Sequence, residues 1–435
     1  MDSDVPIAPA IIPVQENALP IPVVPIRVST SDLRVLIALG GGAFLAQLIF
    51  LAPTPFFPQM ARDLQVSVPL LGQVMSAMLV LSALLGLIIG PLADRSGYRH
   101  LILVGLVAAC ATLLTFGLAP TFIVLVLASI TGGIADAAVL GPSLALAGTH
   151  FTGTLERRAV GWAYGSQTLA AIIGVPVLTA IGAVAGWRPA FIAVAGAGLV
   201  ILAIASMWLP HPGHRSHDPL RLAALIAPYR PLLRDPTMRR LYGARALGAL
   251  TFYGFVTYLG AFLAQALGMA TAHVGLVYMA SGSGFFLGTL AVGGLLAQVP
   301  ARRLVISGYA GMALLLGLAF SARLGVAGTV ILITAAATAT GVASVSMITL
   351  FLAETPSGAG TTVALNASVF NLGAAAGGAI GGALLAYAGY NALAIGLPIF
   401  GLAAALLCWR PAPVHGGGVA DGRRTGVESG MKRMA

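Results

Sequence analysis

Charged residues are scarce in this chain. Asp, Glu, Lys and Arg make up only 8% of its 435 residues, whereas soluble domains carry about 25%. Hydrophobic residues reach 58%, and the mean hydropathy is +0.96. So few charges cannot cover a water-exposed surface of this size, which excludes a soluble globular protein. The chain is predicted to be a membrane protein.

Cysteine is also rare, and each polar pattern that would indicate catalysis is missing. The two cysteines, Cys110 and Cys408, fall inside apolar runs and imply no disulfide framework. No His or Cys accompanies a carboxylate inside an apolar run, so an enzyme is disfavoured and no cofactor is expected. His211, His214 and His217 are spaced by three, but Pro and Arg neighbours indicate a solvated basic loop rather than a metal site.

Long apolar runs fill most of the sequence. Each run is near the 20 or so residues that a membrane-spanning helix needs, and the short alternating segments of a β-barrel are absent. The fold class is therefore all-α, with twelve transmembrane helices. The predicted spans are 33–55, 70–92, 100–118, 121–147, 159–184, 189–209, 242–266, 274–297, 304–322, 326–352, 361–387 and 391–409.

The longest polar interruption, 211–240, divides the helices six and six. It predicts two six-helix domains, 33–210 and 241–410, joined by a cytoplasmic linker. Six prolines in segment 1–32 prevent a signal-peptide core, so this segment and 411–435 are interpreted as disordered cytoplasmic tails. With both termini inside, 20 of the 23 basic residues fall on the cytoplasmic side, leaving only Arg62, Arg188 and Arg323 outside. The charge of +10 is thus a topological signature and predicts no nucleic-acid partner.

Three charged residues stand close together in the sequence GPLADRSGYRH, which joins predicted helices 2 and 3. We refer to its Gly90, Asp94, Arg95, Gly97 and Arg99 as the turn cluster. A weaker copy, GLLAQVPARRLVISG, follows helix 8 with Gln298 in place of Asp94. The copy indicates that the two halves share an origin, and that any role of this carboxylate is confined to the first half.

The turn cluster resembles the helix 2 to helix 3 signature of the major facilitator superfamily over about residues 33–410. The resemblance implies that Asp94 faces the N-terminal end of helix 11, near Thr361, while Arg95 and Arg99 anchor to carboxylates or anionic headgroups. These contacts would hold the halves together on the inner side and break when the cavity opens inward. The alternative is a plain positive-inside turn with no gating role.

Two further segments resemble the drug/proton antiporter and sugar-efflux branch of that family. GVPVLTAIGAVAGWRPAF contains Gly174 and Pro176, which imply either a hinge or close packing in helix 5. In NASVFNLGAAAGGAIGG, Gly373, Gly377 and Gly381 recur every fourth residue and predict a small-residue face on helix 11 for a tightly crossing helix.

One departure from the family concerns the acid that carries protons. Many proton-coupled relatives carry an Arg in helix 4 and an acid in helix 1, but here Ser129 and Gln47 occupy those places. Asp136 lies two turns beyond Ser129 and is the only acid predicted near mid-membrane. A charge there costs at least about 2.5–3.5 kcal/mol, so we expect Asp136 to be a proton or substrate site. The alternative is a neutral Asp hydrogen-bonded between helices.

The family resemblance places the substrate cavity between helices 1, 4, 7 and 10. Its aromatic and hydroxyl side chains would suit a neutral or cationic amphipathic compound. Each hydroxyl also has the commoner alternative of bonding to its own helix. The candidate cavity residues are Gln47, Ser129, Arg245, Phe252, Tyr253, Tyr258, Thr338, Asn366 and Asn371.

These observations predict a secondary transporter that works by alternating access. By resemblance it is a proton-coupled exporter of drug-like, sugar or metabolite compounds. An importer or uncoupled facilitator of a small metabolite, and a receptor-like protein that transports nothing, remain open. The expected partners are a small-molecule substrate, protons and the lipid bilayer, and the protein is expected to be a monomer in the cell (inner) membrane.

Overall fold

The structure is a computed structural model that describes residues 29–211, 227–321 and 324–409. Within these ranges every regular element is a helix. The predicted tails, most of the linker with His214 and His217, and Arg323 lie outside the described residues. The surroundings of Gly90 and the side chain of Asp94 are also outside the description, although both residues belong to a described helix.

Twelve helices long enough to cross a membrane run along the described chain, and we number them α1 to α12. Four short helical segments lie between them without labels: the α-helices Phe57–Asp63 and Arg230–Arg234, and the 3₁₀-helices Thr54–Phe56 and Ala227–Tyr229. The first six are α1 Thr30–Leu51, α2 Val68–Ser96, α3 Tyr98–Leu118, α4 Phe122–His150, α5 Gly153–Ala185 and α6 Trp187–Trp208. The second six are α7 Pro236–Gln265, α8 Thr271–Gly293, α9 Ala301–Ser321, α10 Gly325–Glu354, α11 359–387 and α12 390–409.

The last two helices are continuous except at one break. The run Ala359–Trp409 has 51 residues, about 77 Å of helix, which is too long for one membrane crossing. Ala388 and Gly389 interrupt it with non-helical dihedrals, and Gly389 has φ 68°. Glycine tolerates this left-handed conformation, so the chain reverses there and crosses the membrane twice.

Predicted and observed helices agree in number and closely in position. The largest differences are at α5 and α7, which begin six residues before their predicted starts. Their first turns carry polar and charged residues, among them Glu156 and Arg239, which an apolar window excludes. Asp235 begins α7 as an N-cap by accepting a hydrogen bond from the Met238 backbone amide at 2.8 Å.

The sequence repeat corresponds to an equivalent contact in each half. Arg99 near the start of α3 donates from Nη2 to the Ser206 carbonyl at the end of α6, at 2.6 Å. Arg302 near the start of α9 donates from Nη1 to the Cys408 carbonyl at the end of α12, at 3.1 Å. Both arginines therefore join the third helix of their half to the C-terminal end of the sixth, where a cation is favourable.

The two six-helix halves meet along one side of the molecule. We call the face at which α1 starts the terminal face, and the face at which α1 ends the far face. On the far face Thr54 bonds to Tyr278 at 2.6 Å, and Gln59 bonds to Thr271 at 2.9 Å. These two contacts join the halves on the far face.

Candidate functional site

Asp136 lies half-way along α4 and is hydrogen-bonded across the boundary between the halves. Its Oδ2 accepts from the Ser82 hydroxyl of α2 at 2.5 Å and from Nδ2 of Asn371 in α11 at 3.0 Å. The same Asn371 nitrogen donates to Ser82 Oγ at 3.0 Å. Ser82 and Asp136 belong to the first half and Asn371 to the second. A single carboxylate oxygen therefore joins the halves at mid-membrane.

The second oxygen of Asp136 has no such partners. Within the described chain Oδ1 accepts no hydrogen bond, and the residue is partly solvent-accessible. The ion pairs among described residues involve Asp32, Asp63 and Glu354 instead. Asp136 thus offers one free oxygen to a proton or a cation, and no described basic residue neutralises it.

Arg245 of α7 is the basic counterpart on the second half. It is only 8% exposed, and its guanidinium lies 4.4 Å from the ring centroid of Phe370. Its one hydrogen bond of acceptable geometry is a 3.5 Å contact from Nη1 to Ser344 Oγ, and Nε has no partner although it is buried. The buried Tyr309 hydroxyl lies beside Arg245 and interacts with its side chain, although not at the geometry of a direct hydrogen bond. No carboxylate among the described residues pairs with this buried arginine.

Tyr253 lies near both the acid and the base. Its hydroxyl lies beside the Gln47 side chain and within electrostatic range of both Asp136 and Arg245. Its ring contacts Phe50 at 5.0 Å, Phe370 at 5.2 Å and Phe252 at 5.7 Å between centroids. We call Phe50, Phe252, Tyr253 and Phe370 the aromatic wall. The wall joins α1 of one half to α7 and α11 of the other.

Three of the predicted cavity residues bond to backbone carbonyls. Ser129 and Thr338 donate to carbonyls of their own helices, at 2.6 and 3.0 Å. Tyr258 is fully buried in the far-face interface, where its hydroxyl donates to the Gly378 carbonyl at 2.8 Å. The three residues were predicted in the cavity from the number of the helix that carries them. Helix number alone does not give the direction of a side chain. Asn366 is buried on α11, one turn before Phe370, with Oδ1 unpaired.

The turn cluster is described only in part. Gly97 adopts φ 83° between α2 and α3, a conformation that favours glycine and permits the tight turn. Arg99 bonds to a backbone carbonyl, where a carboxylate or headgroup was expected. Arg95 is partly exposed and makes no hydrogen bond within the described chain. Because the Asp94 side chain is not described, its contact with helix 11 stays a prediction.

The predicted small-residue positions are points of close helix packing. A Cβ on Gly174 would meet Leu48 at 2.9 Å and Phe44 at 3.0 Å, both on α1. A Cβ on Gly373 or Gly377 would come within 2.2 Å of a carbonyl of α7, and one on Gly381 within 3.0 Å of Tyr258. A π-helical turn, 170–174, precedes Pro176. The changed hydrogen-bond spacing of this turn suits proline, which has no amide hydrogen to donate.

Sequence reasoning did not identify Ser82, Tyr164 or Phe370 as part of this region. Ser82 is an ordinary hydroxyl in an apolar helix, and only its contact with Asp136 distinguishes it. Tyr164 on α5 lies within electrostatic range of Arg245 on the opposite half. Phe370 directly precedes Asn371, so adjacent α11 residues contact the base and the acid. The sequence signal that could have identified these three residues is a polar or aromatic side chain near the middle of a predicted helix.

Comparison with known proteins identifies this arrangement. The family profile of the Major Facilitator Superfamily matches residues 39–372. The inner membrane transport protein YdhP of Escherichia coli K12 is 29% identical over 383 residues, which cover 86% of this chain and 94% of that protein. The chloramphenicol efflux pump MT0201 of Mycobacterium tuberculosis is 28% identical over 194 residues, 41% of this chain and 45% of that protein.

A solved structure shares the fold. It is the crystal structure of a bacterial homolog to the human lysosomal transporter Spinster, in an inward-facing and unoccupied conformation. The TM-score is 0.65 at 17% sequence identity, covering 87% of this chain and 95% of the other. At this identity the likeness concerns the fold alone.

Proposed function

The chain belongs to the major facilitator superfamily, and on that premise we propose that it exports a small amphipathic compound in exchange for protons. Membership makes it a multi-pass membrane transporter and not an enzyme. The compound is of the drug-like, sugar or metabolite class. Export is supported by the resemblance to the drug/proton antiporter branch and by the efflux pump among its relatives.

The observation that carries the proposal is the hydrogen bond between Asp136 and Asn371 across the two halves. An ionised carboxylate accepts two hydrogen bonds at Oδ2, which favours the joined arrangement. A proton on the carboxylate weakens the carboxylate as an acceptor and loosens that contact. Substrate binding at the free Oδ1 competes with the proton. Binding and release of a proton or substrate at Asp136 are in this way linked to the movement of one half against the other.

Orientation follows from the basic residues. The terminal face carries Arg34, Arg95, Arg157, Arg239 and Arg303, so the positive-inside rule assigns it to the cytoplasm, together with both termini. Hydrogen bonds join the halves on the far face, which supports the inference that this is an inward-facing state. In this state the cytoplasmic compound enters, and Asp136 releases the proton that it carried inward.

Variants of Asp136 test the coupling in proteoliposomes. Asp136→Asn keeps the shape of the side chain but cannot titrate, so we expect it to abolish accumulation against a gradient while some downhill exchange remains. Chloramphenicol, suggested by the relative's name, is the first compound to measure, with and without an imposed pH gradient. Asp63→Asn is the control, because Asp63 pairs with Arg188 at 3.0 Å on the far face, away from Asp136.

Each outcome separates the candidate functions. Uphill transport that persists in Asp136→Asn moves the coupling site elsewhere, with Glu354 the next acid to examine. Loss of downhill exchange as well indicates a purely structural Asp136. Wild-type transport that does not respond to the pH gradient favours the uncoupled facilitator. The presence of Gln47 on α1, where many proton-coupled relatives carry an acid, supports that alternative. No transport of any compound favours the receptor-like alternative.

A further inference from the structure

Two opposite charges face the boundary between the halves without pairing with each other. Asp136 belongs to the first half and Arg245 to the second, and both lie within electrostatic range of the Tyr253 hydroxyl. Neither takes part in any of the ion pairs that the described residues form. An unpaired charge at this depth is costly, so a ligand that supplies both missing partners would bind favourably.

The free edge of the Arg245 guanidinium has the geometry to bind a planar anion. The Phe370 ring covers one face of the guanidinium at 4.4 Å, so a ligand approaches in the guanidinium plane, along its edge. Nε is unpaired, and Nη2 also makes no hydrogen bond within the described chain. These two nitrogens form the donor fork that matches the two oxygens of a carboxylate. Tyr164 of the opposite half is 37% exposed and lies within electrostatic range of Arg245.

Asp136 is prepared for a cation. Both of its hydrogen bonds are made by Oδ2, and Oδ1 remains free. Ser82 and Asn371 fix the carboxylate in position while one oxygen stays available to an ammonium group. Competition between ammonium and proton at Oδ1 is the exchange that the proposed antiport needs.

The aromatic wall lies beside both charges. Phe370, under Arg245, and Asn371, beside Asp136, are consecutive residues of α11. The Tyr253 ring stands at 89° to Phe370 with 5.2 Å between centroids, and Phe50 closes its other side at 5.0 Å. A flat apolar ring placed against this wall would hold one polar group towards each charge.

We propose that the transported compound is amphoteric, with a protonated amine bound by Asp136, a carboxylate bound by Arg245, and an aromatic ring between them against the aromatic wall. This inference rests on the proposed transport function, whose cavity it uses. It replaces the neutral or cationic compound that the sequence suggests, because an unpaired Arg245 is not explained by a cation.

Direct binding to the purified protein in lipid nanodiscs tests the inference separately from transport. The probes are 4-(aminomethyl)benzoate and 4-(aminomethyl)phenylacetate, which carry both charges, together with benzylamine and 4-methylbenzoate, which carry one each. Dissociation constants are measured by titration calorimetry. We expect both amphoteric probes to bind on the order of tenfold tighter than either single-charge probe, since each charge-assisted hydrogen bond contributes about 1.5–3 kcal/mol.

Variants assign the two ends. Arg245→Gln should make the amphoteric probes no better than benzylamine, and Asp136→Asn should make them no better than 4-methylbenzoate. Arg245→Lys should restore part of the advantage, and Arg239→Gln, an exposed arginine of the same helix, should leave it unchanged. Wild-type comparison of the four probes decides the question even if a variant fails to fold.

The possible results distinguish the binding inference from the proposed transport function. Equal or absent binding of the amphoteric and single-charge probes in the wild type overturns the inference, even if chloramphenicol is exported. An advantage that survives Arg245→Gln overturns it as well. Tight amphoteric binding without proton-driven transport supports the binding site and contradicts the proposed function.

Discussion

At the scale of single residues, the two oxygens of Asp136 have different surroundings. Oδ2 accepts from a hydroxyl of its own half and an amide of the other, whereas Oδ1 is free. A carboxylate placed only for stability would be expected to have both oxygens satisfied. The asymmetry leaves one oxygen to hold the halves in register and one to exchange its occupant.

Replacing Asn371 with alanine tests the cross-half contact. Asn371→Ala removes the only described side chain of the second half that bonds to Asp136, so we expect accumulation against a gradient to fall about tenfold, the effect of one hydrogen bond to a charged group. Ser82→Ala removes the hydroxyl that bonds to Asp136 and accepts from Asn371, but it keeps the bond between Asn371 and Asp136, so it should reduce accumulation less. Transport in proteoliposomes measures both. Equal losses from the two variants would show that the contact has no coupling role.

At the scale of helices, the glycine face of α11 sets its distance from α7. Carbonyls of Ala246 and Leu250 lie where the Cβ atoms of Gly373 and Gly377 would be. Apolar lipid provides no hydrophobic drive for helix association, so such close backbone contact is a main source of packing energy. The same approach positions Arg245 and Tyr253 of α7 against Phe370 of α11.

A methyl group on Gly377 should separate these helices. The new Cβ would lie 2.2 Å from the Leu250 carbonyl and 2.9 Å from the Gly254 nitrogen, both backbone atoms that cannot move independently. We expect Gly377→Ala to destabilise the protein by about 1–3 kcal/mol and lower its Tm. Gly196→Ala is the control, since that helical glycine has open space around it and alanine favours helix. A Gly377→Ala variant as stable as the control would contradict the packing role.

At the scale of the molecule, the helices were predictable from sequence and the contacts between them were not. Apolar runs of about 20 residues give the crossings directly, because the bilayer imposes their length. Asp136 was noticed for the same reason, as an acid in an apolar run. Its partner Asn371 is 235 residues away along the chain, and no local pattern links the two.

The direction of each side chain is the other feature that the sequence does not give. Tyr258 and Tyr253 are five residues apart on α7, yet the first is sealed in the far-face interface and the second faces the aromatic wall. Ser129 was expected in the cavity because of its helix, and instead bonds to its own backbone. These assignments depend on how helices rotate against their neighbours, which is a property of the packed molecule.

The whole molecule also differs between its two copies of the turn cluster. In the first half α2 stays helical through Ser96, and Asp94 is part of that helix. In the second half α8 ends at Gly293, and Gln298 lies exposed in an irregular turn. The two halves therefore share the arginine contact to their sixth helix, but they differ at the position of the carboxylate. A gating role at this position belongs to the first half alone.

Paired substitutions at Asp94 and Gln298 test that asymmetry. Asp94→Asn should leave the protein folded in the membrane but slow transport, because a neutral side chain interacts less with the positive end of helix 11 when the terminal face closes. Asp94→Ala should slow transport more than Gln298→Ala, since Gln298 is exposed and has no hydrogen bond within the described chain. Initial transport rates at matched protein levels in the membrane measure the effect. If the two alanine variants lose activity equally, closure of the terminal face uses both copies, and if neither loses activity the turn cluster serves only the orientation of the chain.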